Sequence, residues 1–173
     1  FPSDAIRYCL EEGGTDAQRL DAVIFYDKPI LKFDRLLRSQ IHNFPASFRQ
    51  FVDGMAPWVA TKLRLPKVLK DELGYTGPLL YSEHHLSHAA SAFYPSPFEE
   101  AAVLTIDRVG EWTSSALSVG EGHDLRMIYE QRFPHSLGML YSAFTYFTGF
   151  KVNSGEYKLM GLAPYGEPRY VDT

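Results

Sequence analysis

Residues 82–111 read S-E-H-H-L-S-H-A-A-S-A-F-Y-P-S-P-F-E-E-A-A-V-L-T-I-D-R-V-G-E, and the fold is decided in this stretch. His84 and His88 stand four residues apart at the head of an alanine-rich segment with the helical period, which puts both imidazoles on one face. Pro95 and Pro97 interrupt the helix. Residues 101–106 form a short apolar run with β-branched members, read as a strand, and Asp107 sits where that run meets a turn. A helix packed beside the carboxyl end of the strand would let His84, His88 and Asp107 converge.

Two neutral imidazoles and one carboxylate make a facial metal site with open positions, suited to Fe(II) and accessible to Mn(II), Co(II) or Zn(II). The residues also admit a plainer reading. His84 then begins the helix, His88 hydrogen-bonds inside a core, and Asp107 closes a turn, because His-x-x-x-His by itself is a common accident.

The chain has 173 residues, 45% hydrophobic and 22% charged, which fits one soluble globular domain with a sizeable core. A formal charge of −4 argues against nucleic acid as the main partner, since phosphate-neutralising proteins carry a basic excess. The single cysteine, Cys9, excludes an internal disulfide framework and suits a reducing compartment. No apolar run reaches the ~18 to 20 residues of a membrane span, and no signal pattern opens the chain. A cytoplasmic protein is expected.

Outward from the histidine stretch, Pro2-Ser3-Asp4 followed by Ala5, Ile6, Cys9 and Leu10 reads as a helix with Ser3 or Asp4 near its N-cap, ended by Gly13-Gly14. Residues 20–26 read as a strand. A helix leading directly into a buried strand implies that an earlier element is missing, so a fragment is expected. Residues 29–73 carry apolar positions three and four apart and predict two or three amphipathic helices. Their Lys32, Arg35, Arg38, Arg49, Lys62, Arg64, Lys67 and Lys70 are read as a solvated face rather than a basic binding surface, because acidic residues are interleaved. A turn at 74–78 and a strand at 79–81 lead into the histidine helix.

Beyond Asp107, residues 114–119 and 125–133 alternate and should pair as a hairpin around Gly120-Glu121-Gly122, completing a three-stranded meander with 101–106. The Asp-x-x-Gly-Glu turn holding Gly110 and Glu111 is a place where backbone N–H groups can approach a phosphate, or an ordinary tight turn. Residues 136–147 predict a deeply buried helix with Ser136 at its N-cap. Glycine-flanked residues 149–166 predict a helix capped by Ser154, whose first turn offers amides, Glu156 and Lys158 to an anion or nucleotide.

The blocks H-H-L-S-H-A-A-S-A-F-Y-P-S-P-F, A-A-V-L-T-I-D-x-V-G-E-W and N-S-G-E-Y-K-L-M-G-L-A-P-Y-G occur in that order. Together they resemble the carbamoyltransferase family that includes nodulation protein U and the antibiotic O-carbamoyltransferases. The resemblance implies an α/β fold, a single partial domain over residues 1–173 like the Kae1-like part of the actin and Hsp70 ATPase superfold, with a mixed sheet flanked by helices and a helical insertion at about 29–73. It implies that His84 and His88 ligate a metal, iron above all, with Asp107 as third ligand or near neighbour. It places the Gly110-Glu111 turn by the phosphates of ATP with its Mg, and the helix start from Asn153 through Glu156 to Lys158 as a further nucleotide or acceptor contact.

Members of that family move a carbamoyl group from carbamoyl phosphate, through an ATP-derived carbamoyl adenylate, to a hydroxyl of a small acceptor. Those molecules, the remainder of a longer chain and a second copy in a homodimer are the partners the resemblance allows. One departure is local: the family usually has glycine where this chain has Arg108, which sets nucleotide approach at that turn in question. The family's first strands, a later metal ligand, the other half of the ATPase fold and the adenylate-forming domain are not in the sequence, so the piece is expected to be inactive alone. Two other classes fit the residues without the resemblance. One is an oxygen-using enzyme built on the two histidines and the carboxylate, and the other is a non-catalytic ATPase-fold module serving assembly.

Overall fold

The computed structural model describes residues 1–169 and 171, with the side chains of 50 and 56–61 left outside the description. The chain forms two compact units, Phe1–Ser87 and His88–Thr173. Among the described residues no helix is long and apolar enough to cross a membrane.

The first unit opens with α1 (Ser3–Glu12), whose N-cap position is Pro2. The expected cap is therefore not made. Ser3 lies inside the helix and its hydroxyl donates instead to Glu72 Oε2 at 2.7 Å. Gly14, with φ +59°, turns the chain away after the helix. Strand β1 (Val23–Phe25) is shorter than the predicted 20–26. Its expected start is displaced by a 3-10 turn over Ala17–Arg19, capped by the Asp16 carboxylate, which accepts from the Gln18 and Arg19 amides.

Three helices follow, α2 (Pro29–His42), α3 (Phe48–Thr61) and α4 (Leu65–Leu73). The amphipathic character expected of side chains 56–61 in α3 lies outside the described residues. Proline in the first turn suits α2 and α4, where the missing amide would be unsatisfied anyway. Gly74 ends α4 in the left-handed conformation, φ +67°. Strand β2 (Leu79–Tyr81) pairs with β1 in parallel, Val23 opposite Leu79 and Phe25 opposite Tyr81. Parallel strands cannot be joined by a hairpin, so the helical segment is the crossover between them. Ala17, Leu65, Leu69 and Tyr75 form the core beneath this pair, with Val23, Phe25 and Leu79 packed against it.

Helix α5 (His84–Phe93) runs from the end of the first unit into the second and stops just before Pro95. In the second unit β3 (Glu100–Ile106), β4 (Thr113–Glu121) and β5 (Asp124–Arg132) form the expected antiparallel meander. Ile106 faces Ser115, and Glu121 faces Asp124 across a two-residue turn at Gly122-His123. Gly120 does not end the strand as predicted but continues its ladder. A Cβ there would stand 2.6 Å from the Phe93 ring, so this glycine makes room for α5 on the sheet. Ala89 and Phe93 bury themselves on Val103, with Ala101 and Leu125 beside them.

Helix α6 (Leu137–Phe147) is capped as predicted, Ser136 Oγ accepting from the Met139 amide at 3.0 Å. Its predicted deep burial is corrected. Within this helix Ser142 and Thr145 are buried while Leu137, Leu140, Tyr141, Phe144, Tyr146 and Phe147 are exposed, because the covered stripe is the one that carries the hydroxyls. Helix α7 (Glu156–Leu162) follows with Gly155, not Ser154, at its N-cap. The architecture is mixed α/β, its sheets flanked by helices. In place of one mixed sheet there is a parallel pair in the first unit and an antiparallel triplet in the second.

Candidate metal centre

Helix α5 presents His84 as its first residue and His88 one turn later, the spacing that stacks two side chains on one helical face. Each histidine has a carboxylate neighbour within its own unit. In the second unit His88 Nε2 lies 3.6 Å from Asp107 Oδ2. That is too long for a hydrogen bond. Two donors bound to one cation at about 2.0–2.2 Å each lie roughly 3 to 3.5 Å apart, so a small cation fits between them with little movement.

Asp107 is held by its own turn. Its amide donates to the Ser114 carbonyl at 2.9 Å, and its Oδ1 accepts from the Arg108 amide at 2.7 Å. The second oxygen is the one facing His88. Ser136 Oγ, the cap of α6, contacts the carbonyls of Asp107 at 3.2 Å and Arg108 at 2.6 Å, fixing the turn from behind. Among the described residues Asn153 is the non-glycine residue with positive φ, so Arg108 needs no left-handed backbone.

In the first unit His84 Nδ1 lies 2.7 Å from Oδ1 of Asp27, a residue the sequence reading passed over. Asp27 follows β1 and is only 1% exposed. Lys32 Nζ reaches both of its oxygens, at 3.1 and 3.0 Å, and Lys62 Nζ stands 3.7 Å away. Burial alone would raise the Asp27 pKa, but the His84 hydrogen bond and the hydrogen bond and charge of Lys32 outweigh it and hold the group at about 2. Lys32 and Lys62 thus leave the solvated face assigned to them. Lys62 also lies over the rings of Phe25 and Tyr26, 4.9 and 5.2 Å from their centres, and Arg35 is buried. Arg38, paired with Asp34 at 2.8 Å, lies on the solvated face expected of it. A carboxylate ending an apolar strand was the available signal: V-I-F-Y-D at 23–27 has the same form as V-L-T-I-D at 103–107.

The predicted nucleotide residues divide between two turns. Gly110 donates its amide to the Thr113 carbonyl at 2.8 Å, so that N–H is engaged within the turn, and Glu111 is buried. Asn153 adopts φ +71° and donates its amide to Glu156 Oε1 at 3.0 Å, which is why Ser154 is not the cap. Glu156 also accepts from Ser142 Oγ at 3.2 Å. Its pKa is lowered, chiefly by the Asn153 amide. The Arg108 guanidinium donates to Asn153 Oδ1 and joins this turn to the one that carries Asp107. Lys158 lies with its ammonium 6.0 Å over the Tyr157 ring.

A family model described as Carbamoyltransferase N-terminus matches residues 1–173. An uncharacterized protein of Synechocystis sp. is 55% identical over 99% of this chain and 29% of its own length. Nodulation protein NolNO of Sinorhizobium fredii is 35% identical over 97% of this chain and 24% of its own length. Nodulation protein NolO of Bradyrhizobium diazoefficiens is 40% identical over 49% of this chain and 15% of its own length. The chain thus spans less than a third of these relatives.

Proposed function

We propose, from the premise that this chain belongs to the carbamoyltransferase family, that it serves as the metal- and nucleotide-binding part of a longer O-carbamoyltransferase. In this reading water releases phosphate from carbamoyl phosphate, the carbamate formed displaces pyrophosphate from ATP to give a carbamoyl adenylate, and the carbamoyl group passes to a hydroxyl of a small acceptor. The acceptor oxygen bonds to the carbamoyl carbon, AMP leaves with the bonding electron pair, and the hydroxyl proton goes to a base. The observation that carries the reading is the approach of His88 to Asp107, with His84 one turn away on the same helix.

His84, His88 and Asp107 would hold a divalent cation, iron in the first instance, and the donor set fits: two imidazoles that ligate when neutral and one carboxylate. The bound ion would supply positive charge to neutralise phosphate and carbonyl oxygens. Asp107, anchored through Oδ1, is the proposed acceptor of the hydroxyl proton as well as a ligand through Oδ2. Gly110 and Glu111 shape the turn behind Asp107. Asn153, Glu156 and Lys158 are the proposed contacts to ATP and its Mg or to the acceptor, brought into line by the Arg108 link. The meander β3–β5 followed by α6 supports the Kae1-like assignment. Family membership favours this transferase over an oxygen-using enzyme or an assembly module.

The test is carbamoyl transfer by the full-length protein supplied with carbamoyl phosphate, ATP and a panel of hydroxylated acceptors. His84→Ala and Asp107→Ala should each lower the rate by at least about 100-fold, and the isolated 173-residue piece should be inactive. Unchanged rates in both variants, or oxygen uptake indifferent to ATP, would overturn the proposal.

A further inference from the structure

We infer that Asp27 is a positioning residue for His84, fixing the tautomer and the ring of a metal ligand through Nδ1 so that the lone pair is carried by Nε2. This rests on the reading of His84 as a ligand. It adds a residue that lies about 80 positions before Asp107 and in the other unit's sequence.

The geometry that assigns the role is local to the first unit. Three consecutive residues at the end of β1 are tied to the start of α5 and the residues just before it. The Ser82 amide donates to the Phe25 carbonyl at 2.9 Å, Ser87 Oγ donates to the Tyr26 carbonyl at 3.3 Å, and the Asp27 carboxylate meets His84 Nδ1 at 2.7 Å. The Tyr26 ring stands beside the His84 ring, centroids 6.2 Å apart. An ionised carboxylate only accepts, so the hydrogen in the Asp27–His84 contact belongs to Nδ1. A neutral imidazole with hydrogen on Nδ1 has its acceptor lone pair on Nε2, which is the form a metal requires.

A buried carboxylate without cations would be strongly unfavourable. Asp27 has Lys32 on both oxygens and Lys62 at 3.7 Å, while Oδ1 is still shared with the imidazole. Lys62 is steadied in turn by a hydrogen bond with Tyr26 Oη at 3.2 Å. The lysines keep the buried carboxylate charged and aligned, and its Oδ1 accepts from the imidazole.

The experiment is a Co(II) titration of the metal-free full-length protein, reading affinity by competition and the visible absorption spectrum of the bound ion. Wild type should bind one Co(II) at this site. Asp27→Asn retains an oxygen that accepts from Nδ1–H but loses the charge, and should weaken binding by about 3- to 10-fold with a changed spectrum. Asp27→Ala loses both and should weaken it by about 10- to 100-fold, with a changed spectrum. The order wild type, Asn, Ala supports the role. A merely structural Asp27 would lower the melting temperature and leave the Co(II) spectrum and affinity of the folded variants as in wild type, which overturns the inference alone. Failure of wild type to bind Co(II) overturns the metal reading itself. Should Asp27→Ala not fold, Asp27→Asn decides by the same two readouts.

Discussion

Gly138, in the first turn of α6, lies against the main chain of Asp107 so closely that a Cβ on it would stand 2.6 Å from the Asp107 carbonyl oxygen. The helix and the carboxylate turn are therefore packed backbone to backbone, and no flexible side chain is there to yield. Gly138→Ala should destabilise the fold by about 1–3 kcal/mol through overpacking. Because the displaced atoms are those of Asp107 and Arg108, metal affinity should fall with it. Gly161, in α7, has nothing within 4 Å of its Cβ position, so Gly161→Ala should instead stabilise by about 0.5–1 kcal/mol. Thermal melts of the two variants check both signs.

Asp27 gives a pH dependence whose direction is fixed by its lowered pKa. The group sits at about 2 in the fold against an ordinary 3.8. Its stabilisation is present above about pH 4 and is lost as pH falls toward 2, amounting to about 2 kcal/mol. Urea midpoints of wild type should therefore fall more steeply from pH 4 to pH 2 than those of Asp27→Asn. Parallel profiles would contradict it.

Asn153 holds a left-handed backbone, φ +71°, between its bonds to Arg108 and Glu156. Asn153→Gly adopts that conformation freely, whereas Asn153→Val does not. The valine variant should be about 1–2 kcal/mol less stable than the glycine variant. Equal unfolding midpoints for the two would show that the turn can be rebuilt at negligible cost.

The histidine helix, the strand before Asp107, the meander and the Ser136 cap were legible because their signals are local, a period of four, a period of two and one hydroxyl before an apolar run. What was not legible depends on partners far along the chain. Asp27 acquires its meaning from Lys32, Lys62 and His84, which reach it only after β1 and β2 pair across three helices. Gly120 has the look of a turn residue until Phe93 is laid over it. Ser154 was the natural cap by composition, and it lost the place because Glu156 turns back to Asn153. The apolar richness of α6 suggested burial, yet composition does not say which stripe another element covers.

Imidazoles ligate only when neutral, so protons compete with the metal for them. Metal occupancy of the full-length protein should therefore decline as pH falls from about 8 toward about 5. Equilibrium dialysis across that range is the check, and occupancy that stays flat down to about pH 5 would speak against histidine ligands.

Elemental analysis of the purified full-length protein should find one tightly held transition-metal ion per chain in wild type, and little or none in His84→Ala, His88→Ala and Asp107→Ala that remain folded. A folded wild type without the ion, or the three variants retaining it in full, would contradict the claim that these side chains form a metal centre.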